Sequence, residues 1–403
     1  MSKSVIMGGG SGAVGFGNTI YCTVGGQISF NATEANRQAV FRESGTVSRF
    51  LINISANTYT GTAATATVRK NSAATTLTVS ITAGVTGFFE DTTHSFTVAS
   101  GDTYGFELDA SAPSAGSATV SVAAVQFEPD TAGDTATYEN NTVSAAFSTN
   151  SVTRFYSTSQ QTVQSTEANA QIKASDSYTA SHLSVYVSAN ARTTDVVYRT
   201  RKNSANGSQS VTYTSGQTGR KTDTSNTDSI ASGDTFNYSI TTLAGGSSIT
   251  TQTISCRLVN TTAKKWQFNT NATASISANS TTYRFIAGAS GTNGTESAVT
   301  YSAPFDFTLK NLKVYVRVNP YATLATTFTL RKNSADTAIT ISFAAGETGW
   351  KEDVTNTVSV TGSDTLAYKI VTPNETGTFQ VDGMTIEGYT GAAEDFIPRV
   401  IFM

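Results

Sequence analysis

The chain has 403 residues, with 26 Lys or Arg and 29 Asp or Glu, so charged residues make up 14% against roughly 25% in ordinary soluble proteins. A net charge of −3 excludes a protein built to neutralise nucleic-acid phosphates. The 21 Phe and 16 Tyr exclude a disordered chain, and few Pro with much Thr, Val, Tyr and Phe favours strands over helices.

In chain order, Met1–Met7 carries one Lys and no apolar stretch of leader length, so synthesis in the cytoplasm without a signal peptide is expected. No run approaches the roughly 18–20 apolar residues of a membrane helix, so no membrane insertion is expected. Gly10-Ser11-Gly12-Ala13-Val14-Gly15 fits the dinucleotide fingerprint. That chemistry needs a strand before it and a helix N-terminus after it. The strand-like Thr19–Thr23 follows instead, so the segment reads as a flexible glycine arm able to dock on a neighbour. Cys22 and Cys256 read as two buried free thiols.

Repetition dominates the rest. Arg-Lys-Asn-Ser-Ala occurs at Arg69, Arg201 and Arg331, at spacings of 132 and 130 residues. Each copy continues without a gap through Gly84, Gly216 or Gly346 and Asp91, Asp223 or Asp353. It then reaches Asp102-Thr103, Asp234-Thr235 or Asp364-Thr365. Upstream, Thr33-Glu34-Ala35-Asn36 matches Thr166-Glu167-Ala168-Asn169 and, more weakly, Thr295-Glu296. A unit of this size carries its own core. Apolar residues alternate with polar ones at Phe50, Ile52 and Ile54 and at Tyr104, Phe106 and Leu108, with counterparts in the other copies. Period two with one wet face predicts antiparallel sandwiches. The expectation is an all-β chain of three tandem antiparallel β-sandwich (jelly-roll-like) domains. They span 1–130 with the glycine arm, 131–262, and 263–403 with an apolar tail, with roughly eight short strands each.

At the Arg-Lys-Asn strand end and the Gly-Asp turn the copies resemble the C1q/TNF-like jelly roll, over about forty residues each. Ser follows the Asn where that family has Gly. In composition and architecture the chain is also similar to tandem jelly-roll structural proteins of tailed bacteriophages. That likeness implies a location on the virion surface, made in the host cytoplasm, with other virion structural proteins as partners. Three fused copies permit an intramolecular pseudo-trimer, self-association, or a string of beads.

Candidate chemistry is sparse. His182 stands where Arg49 and Asn311 stand and reads as a solvent-facing strand residue; His94 stands where Asn226 and Asn356 stand and reads as part of a turn. The Asp91, Asp223 and Asp353 loops offer one carboxylate each, and an Asx-type turn explains them better than Ca²⁺ does. Arg69-Lys70, Arg201-Lys202 and Arg331-Lys332 read as charges guarding strand ends. Trp266 and Trp350 read as packing residues, with sugar stacking as the alternative. No catalytic, cofactor or metal residues are assigned. The tail residues Phe396, Ile397, Val400, Ile401 and Phe402 must either complete a sheet or anchor to a partner. The leading expectation is a non-enzymatic virion structural protein (capsid decoration, fibre or tail accessory) acting by docking and display. The alternatives are an adhesin binding a receptor or host-surface glycan and, last, a glycan-degrading enzyme.

Overall fold

The alternation in the sequence becomes strands with one buried face: along Ala64–Lys70, Ala64, Ala66 and Val68 are buried while Thr65 and Thr67 lie half-exposed between them. The structure, a computed structural model, describes residues 3–131, 135–159, 163–260, 264–288 and 291–390. It is an all-β molecule, 65% strand and 3% helix. Its helical elements among the described residues are single 3-10 turns at Glu34–Arg37, Glu167–Ala170 and Glu296–Ala298.

In the first copy the strands are β1 (Ser4–Gly15), β2 (Thr19–Cys22), β3 (Gly26–Ile28), β4 (Ala39–Val40), β5 (Gly45–Asn57), β6 (Thr60–Gly61), β7 (Ala64–Lys70), β8 (Ala73–Ile81), β9 (Gly87–Val98), β10 (Thr103–Asp109), β11 (Pro113–Ala115) and β12 (Ser117–Pro129). One sheet runs β3-β1-β12-β5-β9; the facing sheet runs β2-β10-β7-β8, with β4 also on β10. First and last long strands lie side by side, and the chain crosses between sheets as in a jelly roll. The second copy repeats this with Thr135–Phe147, Ile249–Asn260 and Tyr178–Asn190, the third with Lys265–Ser277, Thr378–Tyr389 and Phe307–Val318. The strands exceed eight in the first copy because short pairs such as β6 with β11 brace its loops.

Two expectations about histidine need correction. His182 is not a solvent-facing strand residue: it is half-buried and sits at φ 58° in a register shift of the Tyr178–Asn190 strand. Arg49 (φ 52°) and Asn311 (φ 54°) occupy the same bulge in the other copies. His94 lies within β9, where the register to β5 slips around Asp91, rather than in a free turn.

The glycine arm is also corrected. It is β1, hydrogen-bonded to β12 and β3, and Ser4–Gly10 is buried. Its glycines serve close approach: a Cβ on Gly9 would stand 2.4 Å from the Ala287 carbonyl oxygen and one on Gly12 would stand 2.8 Å from the Phe30 ring.

The copies meet head to tail, and the contacts close a ring. The carbonyl five residues after the Thr that precedes each 3-10 turn accepts from the next copy. Arg220 Nη2 donates to Gln38 O at 2.7 Å, Asn271 Nδ2 to Gln171 O at 2.7 Å, and Asn53 Nδ2 to Thr300 O at 3.1 Å. Ion pairs reinforce the first two seams: Arg257 with Glu43, and Lys173 with Glu352. In the third seam Arg49 donates to the Pro304 carbonyl. The cores run on across the seams. Val5, Met7 and Leu51 belong to the apolar cluster of the third copy, and Tyr138 and Val259 to that of the first.

Candidate functional site

The recurring polar motifs bind one another. Asn71 and Ser72 take φ 49° and 63°, as do Asn203-Ser204 and Asn333-Ser334 nearly alike. Two left-handed residues make a type I′ hairpin turn, with Ser where Gly is usual. The turn swings each Arg back over its own copy. Arg69 Nε and Nη2 donate to Glu34 at 3.1 and 3.3 Å, Arg201 to Glu167 at 2.8 Å twice, and Arg331 to Glu296 at 3.1 Å twice. Each is a bidentate fork that ties the hairpin end to the 3-10 turn. The neighbouring Lys donates to a strand carbonyl at 2.9–3.0 Å (Thr97, Ser229, Ser359). Each Asn clasps the Asp of the Asp-Thr turn: Asn71 with Asp102 at 2.7 Å, Asn203 with Asp234 and Asn333 with Asp364 at 2.6 Å. The Glu of the Thr-Glu motif is therefore the partner that a reading of strand-end charges alone does not supply.

The Asp91, Asp223 and Asp353 carboxylates each cap a bulge. Asp223 accepts from Ser210 N at 2.8 Å and from Ser225 N and Asn226 N at 3.1 Å, with Asn226 Nδ2 at 2.9 Å. Asp353 repeats this with Thr340 N, Thr355 N, Asn356 N and Asn356 Nδ2. In the first copy His94 Nδ1 takes the place of that amide, 2.9 Å from Asp91 Oδ2. The His94–Asp91 pair has the look of a base and its orienting acid, but Asn fills the same role in the other two copies. Burial works to raise the Asp91 carboxyl, and donors from Thr78, Thr93 and His94 overcome it and hold it below the ordinary carboxylate range.

Burial pushes the Cys22 and Cys256 thiols up to about 12, so both stay protonated and unreactive. Asp382 and Glu387, whose carboxyls burial raises, are fully enclosed. Among the described residues no group of three or more His, Cys, Asp or Glu could hold a metal ion. Trp266 is buried in the third core. Trp350 lies in the seam between the second and third copies, 5.3 Å from the Tyr315 ring, with Lys173 5.9 Å from its own centroid. The tail residues Phe396, Ile397, Val400, Ile401 and Phe402 lie outside the described residues.

Recesses of about 440 and 360 Å³ lie within the second and third copies, the former beside Lys202 and Asp234. Between the third and first copies lies a recess of about 450 Å³ lined by Asn53, Ser55, Thr86, Thr295 and Ser297 among others. It shares Ser11, Ser55, Asn293 and Ala298 with a second recess of about 230 Å³. The sequence carries no local signal for it, because its residues come from segments some 240 positions apart.

No family model and no curated protein matches the chain. Among solved structures, a xanthan lyase from Paenibacillus is 13% identical with a TM-score of 0.20, over 72% of this chain and 30% of its own. A protein described by its triple jelly roll fold and turret assembly in an archaeal virus is 14% identical with a TM-score of 0.19, over 96% of this chain and 91% of its own. Both TM-scores lie far below those of chains that share a fold.

Proposed function

We propose that the chain is a non-enzymatic virion structural protein, a capsid decoration, fibre or tail-accessory component that docks on a particle and displays a rigid surface. The observation that carries this reading is how the recurring polar residues are used. The Arg, Lys, Asn, Asp and Glu that every copy shares are spent on staples within the copy. What remains on the outer strands is Ser and Thr, as on Ala73–Ile81, where Thr76, Thr78 and Ser80 are exposed. The ring of head-to-tail contacts supports an intramolecular pseudo-trimer that displays three similar faces from one chain. Labelling purified particles with an antibody against the chain and imaging them by cryo-electron microscopy tests the reading. A fixed position on capsid or tail is expected; finding the chain free in the medium and absent from particles overturns it. A second reading, glycan binding, is favoured by the recess between the third and first copies.

A further inference from the structure

The three seams follow one plan, and one pair of equivalent positions is filled differently in each. The cross-strand partners there are Asn53 with Phe88, Tyr186 with Arg220, and Tyr315 with Trp350. In the second copy the Arg220 guanidinium lies over the Tyr186 ring at 5.3 Å; in the third the Tyr315 and Trp350 rings lie 5.3 Å apart. These large pairs fill their seams. In the first copy the short Asn53 reaches across the seam to Ser297 O and Thr300 O, and Phe88 remains 38% exposed. The volume filled elsewhere stays open here as the 450 Å³ recess and its 230 Å³ extension, within the size range of small-molecule sites.

The walls mix hydroxyls and amides, from Ser55, Thr86, Asn293 and Thr295, with apolar side chains such as Ile54 and Ala56, and among the described residues no charged side chain stands on them. Such a surface donates and accepts hydrogen bonds without selecting a charge. An exposed phenyl ring on the strand next to Asn53 offers an apolar face for ring C–H groups. An anion would find no cation, and an apolar ligand would strand the hydroxyls. We propose that this recess binds a neutral saccharide. The proposal deepens the glycan-binding reading and is independent of where the chain sits on a particle, so each can fail without the other.

The test is isothermal titration calorimetry of the full chain with maltohexaose, cellohexaose, mannohexaose and chitohexaose, and with an oligogalacturonate as the charged counterpart. We expect at least one neutral oligosaccharide to bind. Ser55→Arg places in the recess the residue that the third copy carries at Arg317, and should weaken binding by roughly tenfold or more. Phe88→Ala, an exposed change that leaves the fold alone, should weaken it roughly three- to tenfold. Val354→Ala, at an exposed residue outside the recess, should bind as the parent does. Binding of none of the neutral sugars up to about 10 mM, binding of the oligogalacturonate alone, or neutral binding unchanged in both the Ser55 and the Phe88 variants would overturn the proposal.

Discussion

At the scale of single residues, the positions that decide most are those where a side chain is missing or misplaced. Gly9 has Ala287 O and the Phe285 side chain of the third copy where a Cβ would go. Gly9→Ala should cost about 1–3 kcal/mol through overpacking and lower the melting temperature, measured by calorimetry. Gly17→Ala, with open space around it but φ 77°, serves as a comparison that strains the backbone and leaves the seam alone. His182 pays twice: it holds φ 58°, and burial first, then Arg42 and Arg257, keep its imidazole below the ordinary 6.5. A depressed value means the unfolded chain takes up the proton first, so this contribution is present above pH 6.5 and lost as pH falls below it. His182→Asn copies Asn311, which adopts the same backbone. It should stabilise by about 1 kcal/mol and reduce the difference in melting temperature between pH 5 and pH 7.5.

At the scale of elements, the staple and the capped bulge let strands rich in Ser and Thr keep one register. Asp223 satisfies three backbone N–H groups at once, and its removal in Asp223→Ala leaves them without that acceptor. The expected loss is about 1–3 kcal/mol, read as an earlier midpoint in urea. The same carboxylates set the acid limit. Asp91, Asp102, Asp223, Asp234, Asp353 and Asp364 are all held below the ordinary 3.8. For the first four and for Asp353, burial opposes this and hydrogen bonds outweigh it; for Asp364 the bond from Thr361 N leads. Their stabilisation is complete above pH 3.8 and fades as pH falls through the depressed folded values. Melting temperature should therefore drop steeply below about pH 4, and a flat profile down to pH 2 would contradict the role given to these turns.

At the scale of the whole molecule, the seams make the three copies one thermodynamic body. Apolar clusters extend across them, and Glu43 with Arg257 forms a seam pair whose side chains are 9% and 15% exposed. Removing one partner of such a pair is costly because the other stays enclosed. Glu43→Ala should destabilise by about 3 kcal/mol, while wild-type heating should show one calorimetric transition rather than three. Three separated transitions would mean copies that unfold as independent beads.

The sequence by itself determined the threefold duplication, the period-two strands and the hairpin turns, because these depend on residues close together in the chain. Asn71-Ser72 and Asp102-Thr103 are legible as turns for that reason. Only the tertiary structure decided what the glycines of β1, the Thr-Glu motifs and the differing residues Phe88, Arg220 and Trp350 are for. Those roles arise where segments meet across seams, and a single chain of letters carries no record of which distant residue will stand opposite. Gly9 reads as looseness until Ala287 is placed against it, and Phe88 reads as an ordinary strand residue until its counterparts are seen filling their seams.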